Sequence, residues 1–242
     1  TLFSYFDLMS LPWKKLDEDC FDEVVIGEDA FAFANKHQRF YERMSARFPK
    51  EREGLKKYVD FLKQVGDHIF DSFNLQNEGT FTNSLFARSA YGFLNETIKD
   101  PLLRKVLSGT SLKMELNAPT LPLYTFAQIN DSFIRSAWRL RGGGMQIADK
   151  LVGGIEAMGG EVKTRAIVTY IKEEDGKVVG VTVNDEDYLE ADWVISSTHP
   201  AYTVLLVGDS KKMRRIYRDR IANLDNTFGM FTANIRLKPG ML

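Results

Sequence analysis

Residues 142–200 read GGGMQIADKLVGGIEAMGGEVKTRAIVTYIKEEDGKVVGVTVNDEDYLEADWVISSTHP, and their order decides the fold. The triple glycine opens a stretch in which Ile147, Leu151, Ile155 and Met158 form a helical stripe, and Gly159-Gly160 stops it. Strand-like text follows at once. Val162 to Ile171, Val178 to Val183 and Tyr188 to Ala191 are separated by the turn-rich EEDGK and NDED, which predicts a three-stranded antiparallel meander. Trp193-Val194-Ile195-Ser196-Ser197 reads as a buried strand that closes the unit.

Upstream, most of the first 140 residues read as helix. Glu23 to Ile26 and Ala30 to Ala34, joined by Gly27-Glu28-Asp29, predict a hairpin. Phe40, Tyr41, Met44 and Phe48 recur at helical spacing up to Pro49, where a helix must end. Leu55, Tyr58, Val59, Leu62, Val65, Ile69 and Phe73 then form one apolar face, with Lys56, Lys57, Asp60 and Lys63 opposite. A further helix is expected from Leu85 to Ile98, and another through Leu102, Leu103, Val106 and Leu107 to Gly109. After Lys211 the chain is again charged and helical, through Met213, Ile216, Tyr217 and Ile221, before a half-buried strand FGMFTANIRL. Repeats and low-complexity tracts are not found.

Composition narrows the function. The 242 residues carry 32 Lys and Arg against 33 Asp and Glu, so no basic field favours a nucleic-acid partner. One cysteine, Cys20, cannot make an internal disulfide, and its scarcity predicts a cytoplasmic setting. No apolar run approaches the roughly 18 residues of a membrane span, so any membrane contact is expected to be peripheral. His37, His68 and His199 are far apart, and with one cysteine they predict no metal site. No G-x-S-x-G elbow occurs, which argues against a hydrolase. Phe81, Phe86, Tyr91, Phe93, Tyr124, Phe126, Phe133 and Trp138 read mainly as core, or as walls of an apolar channel.

The sequence GGG, helix, GGEVKTRAIVTYI, meander and ADWVISSTHP resembles the amine-oxidase and phytoene-desaturase superfamily of flavoproteins. The helical ARFPKEREGLKKYVDFL of residues 46–62 is most similar to the phytoene-desaturase and retinol-saturase branch. The resemblance covers nearly the whole chain and implies an α/β (α+β) fold: part of an FAD-binding, Rossmann-like sheet with its meander, plus a largely helical substrate domain. It places the cofactor side at residues 138–207 and the substrate side at residues 1–137 and 208–242. It implies FAD as cofactor and an apolar polyene or isoprenoid substrate whose C–C bonds are desaturated or saturated. An amine oxidase acting on C–N bonds, and a non-catalytic module binding an apolar ligand, are the alternatives.

Residue by residue, the resemblance puts the backbone of Val168 against adenine, and Ser196, Ser197 and Thr198 at the strand end facing the dinucleotide. Gly143 and Gly144 correspond to a loop near the flavin, usually Pro-x-Gly-Gly, with Arg141 where the proline stands. Plain strand packing, capping and helix entry are the structural alternatives for these positions. No catalytic acid or base is assigned. The triple glycine fails as a dinucleotide loop, because Ile147 occupies the third glycine's place in G-x-G-x-x-G and no buried strand precedes it. With no such loop in the chain, the phosphate-binding strand and helix are expected upstream of Thr1 and a flavin segment downstream. The chain alone is then expected to be inactive and to hold no flavin.

Overall fold

A computed structural model of the chain describes residues 2–68, 80–113, 120–210, 212–226, 229, 231, 238 and 240. It contains two compact units, one of residues 1–150 with 228–242 and one of residues 151–227. The expected positions Ile69 and Phe73, the residue Lys211 and most of the FGMFTANIRL strand lie outside the described residues.

In the first unit, β1 (Trp13–Lys15) pairs antiparallel with β4 (Trp138–Leu140), which brings the two ends of the helical region together. The hairpin is β2 (Asp22–Ile26) and β3 (Asp29–Phe33), with Ile26 opposite Asp29. Gly27 has a φ of +63°, and a positive φ at the first of two turn residues is what a tight hairpin requires. The helices are α1 (Leu2–Tyr5), α2 (His37–Arg47), α3 (Arg52–Asp67), α4 (Thr80–Phe86), α5 (Ala90–Thr97), α6 (Pro101–Leu107) and α7 (Leu123–Arg135). The apolar stripe of α3 is buried as its spacing requires, with Leu55, Tyr58, Leu62 and Val65 no more than 1% exposed. Tyr58 is the hub of the core, its ring 6.3 Å from Phe40 and 6.4 Å from both Phe93 and Phe126.

The single helix expected from Leu85 to Ile98 is instead two. Ser89 leaves the helical path, caps α5 by accepting from the Gly92 N–H, and bridges to Pro122. A serine that satisfies an orphan N–H makes a new helix start as cheap as continuation. Among the aromatics, Phe93 and Phe126 are core, whereas Phe86, Tyr91 and Trp138 are exposed.

α8 (Met145–Ala157) runs across the division between the units and ends as its glycines predict. Gly159, at φ +83°, donates to the Glu156 carbonyl, and Gly160 donates to that of Ile155, a Schellman closure. In the second unit, β5 (Val168–Glu174), β6 (Lys177–Val183) and β7 (Asp187–Glu190) form the antiparallel meander in the order β5-β6-β7. Asp175 and Gly176 both have positive φ, the geometry of a tight Asp-Gly hairpin turn. α9 (Pro200–Val207) and α10 (Arg215–Ala222) follow.

Two strand boundaries need correction. The first meander strand begins at Val168, not Val162, because Arg165 adopts a left-handed φ of 55° that breaks the extended run. Residues 193–197 are not a buried strand: they join no ladder, and Trp193 and Ile195 are 89% and 98% exposed. A strand persists through hydrogen bonds to neighbours, and among the described residues no neighbouring strand is offered to this one. The fold is nonetheless the expected α/β mixture of helices and small sheets.

Candidate functional site

The triple-glycine loop belongs to the first unit and is held from three directions. The Arg141 N–H donates to the Pro12 carbonyl at 3.1 Å, continuing the β1–β4 ribbon. The Gln146 side-chain amide donates to the Arg141 and Gly143 carbonyls, each at 2.9 Å. Lys150, in the second turn of α8, reaches Asp7 at 2.5 Å and Ser10 at 2.8 Å. That lysine holds the Asp7 carboxyl below the usual carboxylate range, through its hydrogen bond first.

Within this loop the glycines have different reasons. Gly142 and Gly143 have φ of +92° and +104°, which explains glycine by backbone alone. Gly144 has neither a positive φ nor any atom within 4 Å of an added Cβ. Among the described residues, nothing in the packing calls for glycine at that position.

In the second unit, Val168 opens β5 opposite Val183 and is half-buried. β5 lies at the edge of the three-stranded sheet, and among the described residues no strand pairs with its other side. Ser196, Ser197 and Thr198 are exposed at the entrance to α9. Ser196 Oγ lies 2.9 Å from Thr198 Oγ1 and 2.7 Å from Thr203 Oγ1, and the two threonine hydroxyls are 2.9 Å apart, a closed hydroxyl triangle. Ser197 takes no part in it. His199 caps α9 by accepting at Nδ1 from the Ala201 N–H, which leaves Nε2 as the protonated nitrogen that faces Asn226 Oδ1 at 2.7 Å.

The sequence reading named Ser196 and Thr198 but not Thr203 or Asn226. Thr203 was legible in principle, because it lies one helical turn beyond His199 and so faces back toward the helix entrance. No group of three or more histidine, cysteine or acidic side chains among the described residues is arranged to hold a metal.

Residues 15–216 match the model of the family described as flavin containing amine oxidoreductase. The chain belongs to that family. It is 28% identical to the all-trans-retinol 13,14-reductase of Danio rerio, over 86% of this chain and 38% of the relative. It also shares the fold of a crystallised oxidoreductase from Methanosarcina mazei, with a TM-score of 0.58 at 20% identity, covering 92% of this chain and 50% of that one. The chain thus spans half or less of the length of each of these proteins.

This member of the flavin containing amine oxidoreductase family carries residues that fit part of a dinucleotide and not all of it. An edge strand at Val168 and exposed hydroxyls at Ser196 and Thr198 suit a nucleoside that is read by neutral hydrogen bonds. The amides that would cradle a pyrophosphate require a glycine-rich strand-to-helix turn, and the 242 residues contain no such motif.

Proposed function

We propose that the protein carrying this chain is an FAD-dependent oxidoreductase that saturates or desaturates C–C bonds of an apolar polyene or isoprenoid substrate. The observation that carries this reading is the family match across residues 15–216, joined to the likeness to a retinol reductase. Bound FAD would supply the hydride chemistry, giving or taking two electrons at the substrate carbon. The work of the chain is to bind, orient and exclude water.

In this reading the Val168 backbone meets the adenine, Ser196, Ser197 and Thr198 line the dinucleotide crevice, and Gly143 and Gly144 let the backbone approach the flavin ring. Gly144 is compatible with it, since among the described residues no atom lies within 4 Å of an added Cβ there. Residues 138–207 make up the cofactor side, and residues 1–137 with 208–242 the substrate side. No described helix is long and apolar enough to cross a membrane, and the proposed setting is cytoplasmic, with any membrane contact at the surface.

The test is turnover of all-trans-retinol by the protein as its own cell makes it, read as a mass gain of two hydrogens in the product under reducing conditions. Conversion of an amine, with retinol unchanged, would move the assignment to C–N oxidation.

A further inference from the structure

The β1–β4 ribbon carries its charges in an order that its own packing does not explain. Lys14 stands directly opposite Arg139, flanked by the pairs Trp13 with Leu140 and Lys15 with Trp138. Side chains alternate between the faces of a strand, so Trp13, Lys15, Trp138 and Leu140 share one face, and Lys14 and Arg139 lie on the other. The Arg141 N–H donates to the Pro12 carbonyl, which continues the register by one more step and puts Arg141 on the face of Arg139. Three cations thus stand on one side of a two-stranded ribbon.

Like charges set directly opposite one another destabilise a strand pair. Lys14, Arg139 and Arg141 are exposed, and among the described residues their side chains have no ion-pair partner. Lys15, on the indole face, pairs by contrast with Glu18, and Asp7 is taken by Lys150. The backbone of Arg141 is fixed at both of its polar groups, the N–H by Pro12 at 3.1 Å and the carbonyl by the Gln146 amide at 2.9 Å. An anion seated among the three side chains turns their repulsion into attraction.

We propose that Lys14, Arg139 and Arg141 bind a small soluble molecule through its diphosphate group. Two guanidinium forks and an ammonium carry more charge than one carboxylate neutralises, and a guanidinium grips two phosphate oxygens at once. A bilayer fits less well. One that took up the Trp138 ring, 51% exposed on the opposite face, would leave the three cations pointing away from its headgroups. The site rests on the ribbon and not on the flavin reading. In that reading the dinucleotide's own pyrophosphate belongs to a glycine-rich turn outside these residues, so the diphosphate held here is a second one.

The probe is inorganic pyrophosphate, titrated by calorimetry into the full-length protein at low and at moderate ionic strength. Saturable one-to-one binding that weakens with salt is expected. Arg139→Gln should weaken it about tenfold and, by removing the opposed charge, raise the thermal midpoint of the ligand-free protein. Arg139→Lys keeps the charge without the fork and should recover part of the affinity. Lys163→Gln, which removes an exposed charge from the other unit, should leave affinity unchanged. Absence of saturable binding, equal affinities for Arg139→Gln and Lys163→Gln, or a lowered midpoint for Arg139→Gln overturns the site. So does Arg139-dependent sedimentation with phosphatidylglycerol vesicles when pyrophosphate does not bind, which would give the face to a bilayer. Flavin content of the same samples tells the two ideas apart: binding without flavin defeats the flavoprotein reading alone, and flavin without binding defeats this site alone.

Discussion

Asp131 is 2% exposed, and its carboxylate is met from two sides, by His37 Nε2 at 2.6 Å and by Arg135 Nε at 2.5 Å. Arg135 extends the network to Asp67 at 2.6 Å and to the Lys63 carbonyl, so α2, α3 and α7 meet at one buried charge. Gly66 makes room for it, because a Cβ there would overlap the carboxylate. Helix propensity favours alanine over glycine by about 1 kcal/mol. The overlap outweighs that, and Gly66→Ala should destabilise the chain by about 2 kcal/mol, read from the denaturant midpoint. The hydrogen bond from Arg135 also holds the Asp67 carboxyl below its ordinary 3.8. A carboxyl with a lowered folded-state value adds stability above the ordinary value and loses it as pH falls from there through the lowered one. Asp67→Asn should therefore lose less stability than the parent chain between neutral pH and about pH 3, in paired denaturation curves. None of this was legible in the sequence. NDSFIR reads as an ordinary half-solvated helix, and a partner 94 positions away leaves no local trace.

At the scale of elements, the meander was legible because its turns carry their own chemistry. Asp175-Gly176 and Asn184-Asp185 all take positive φ, and each residue type suits it. The β1–β4 ribbon was not legible: three-residue strands separated by more than a hundred positions have too few side chains to show a period. Trp193–Ser197 was misread for a related reason, since an apolar run specifies a buried strand only where neighbours exist to pair with it. Its amides should exchange with deuterium without protection in the isolated chain, and slow exchange across all five would show a ladder that the structure lacks. α8 gives a second test. It buries none of its residues, and Gly153 and Gly154 sit mid-helix with nothing within 4 Å of an added Cβ. Gly153→Ala should stabilise the isolated chain by about 1 kcal/mol, measured by thermal melting.

For the molecule as a whole, the family was readable from the order of the motifs, and the match over residues 15–216 bears that out. The sequence named candidate residues rather than a site. Val168, Ser196 and Thr198 occupy a sheet edge and an exposed hydroxyl cluster, while Gly143 and Gly144 stand in the other unit. Sequence spacing names such residues one at a time, because a crevice is made by elements that meet in space. The central claim is that these residues serve a bound flavin. Its most direct test is the visible absorption spectrum of the protein purified from its own cell, with the cofactor released by denaturation and identified by mass. The account predicts about one FAD per chain there, and none on the 242 residues expressed alone. A colourless native protein that releases no flavin would contradict it.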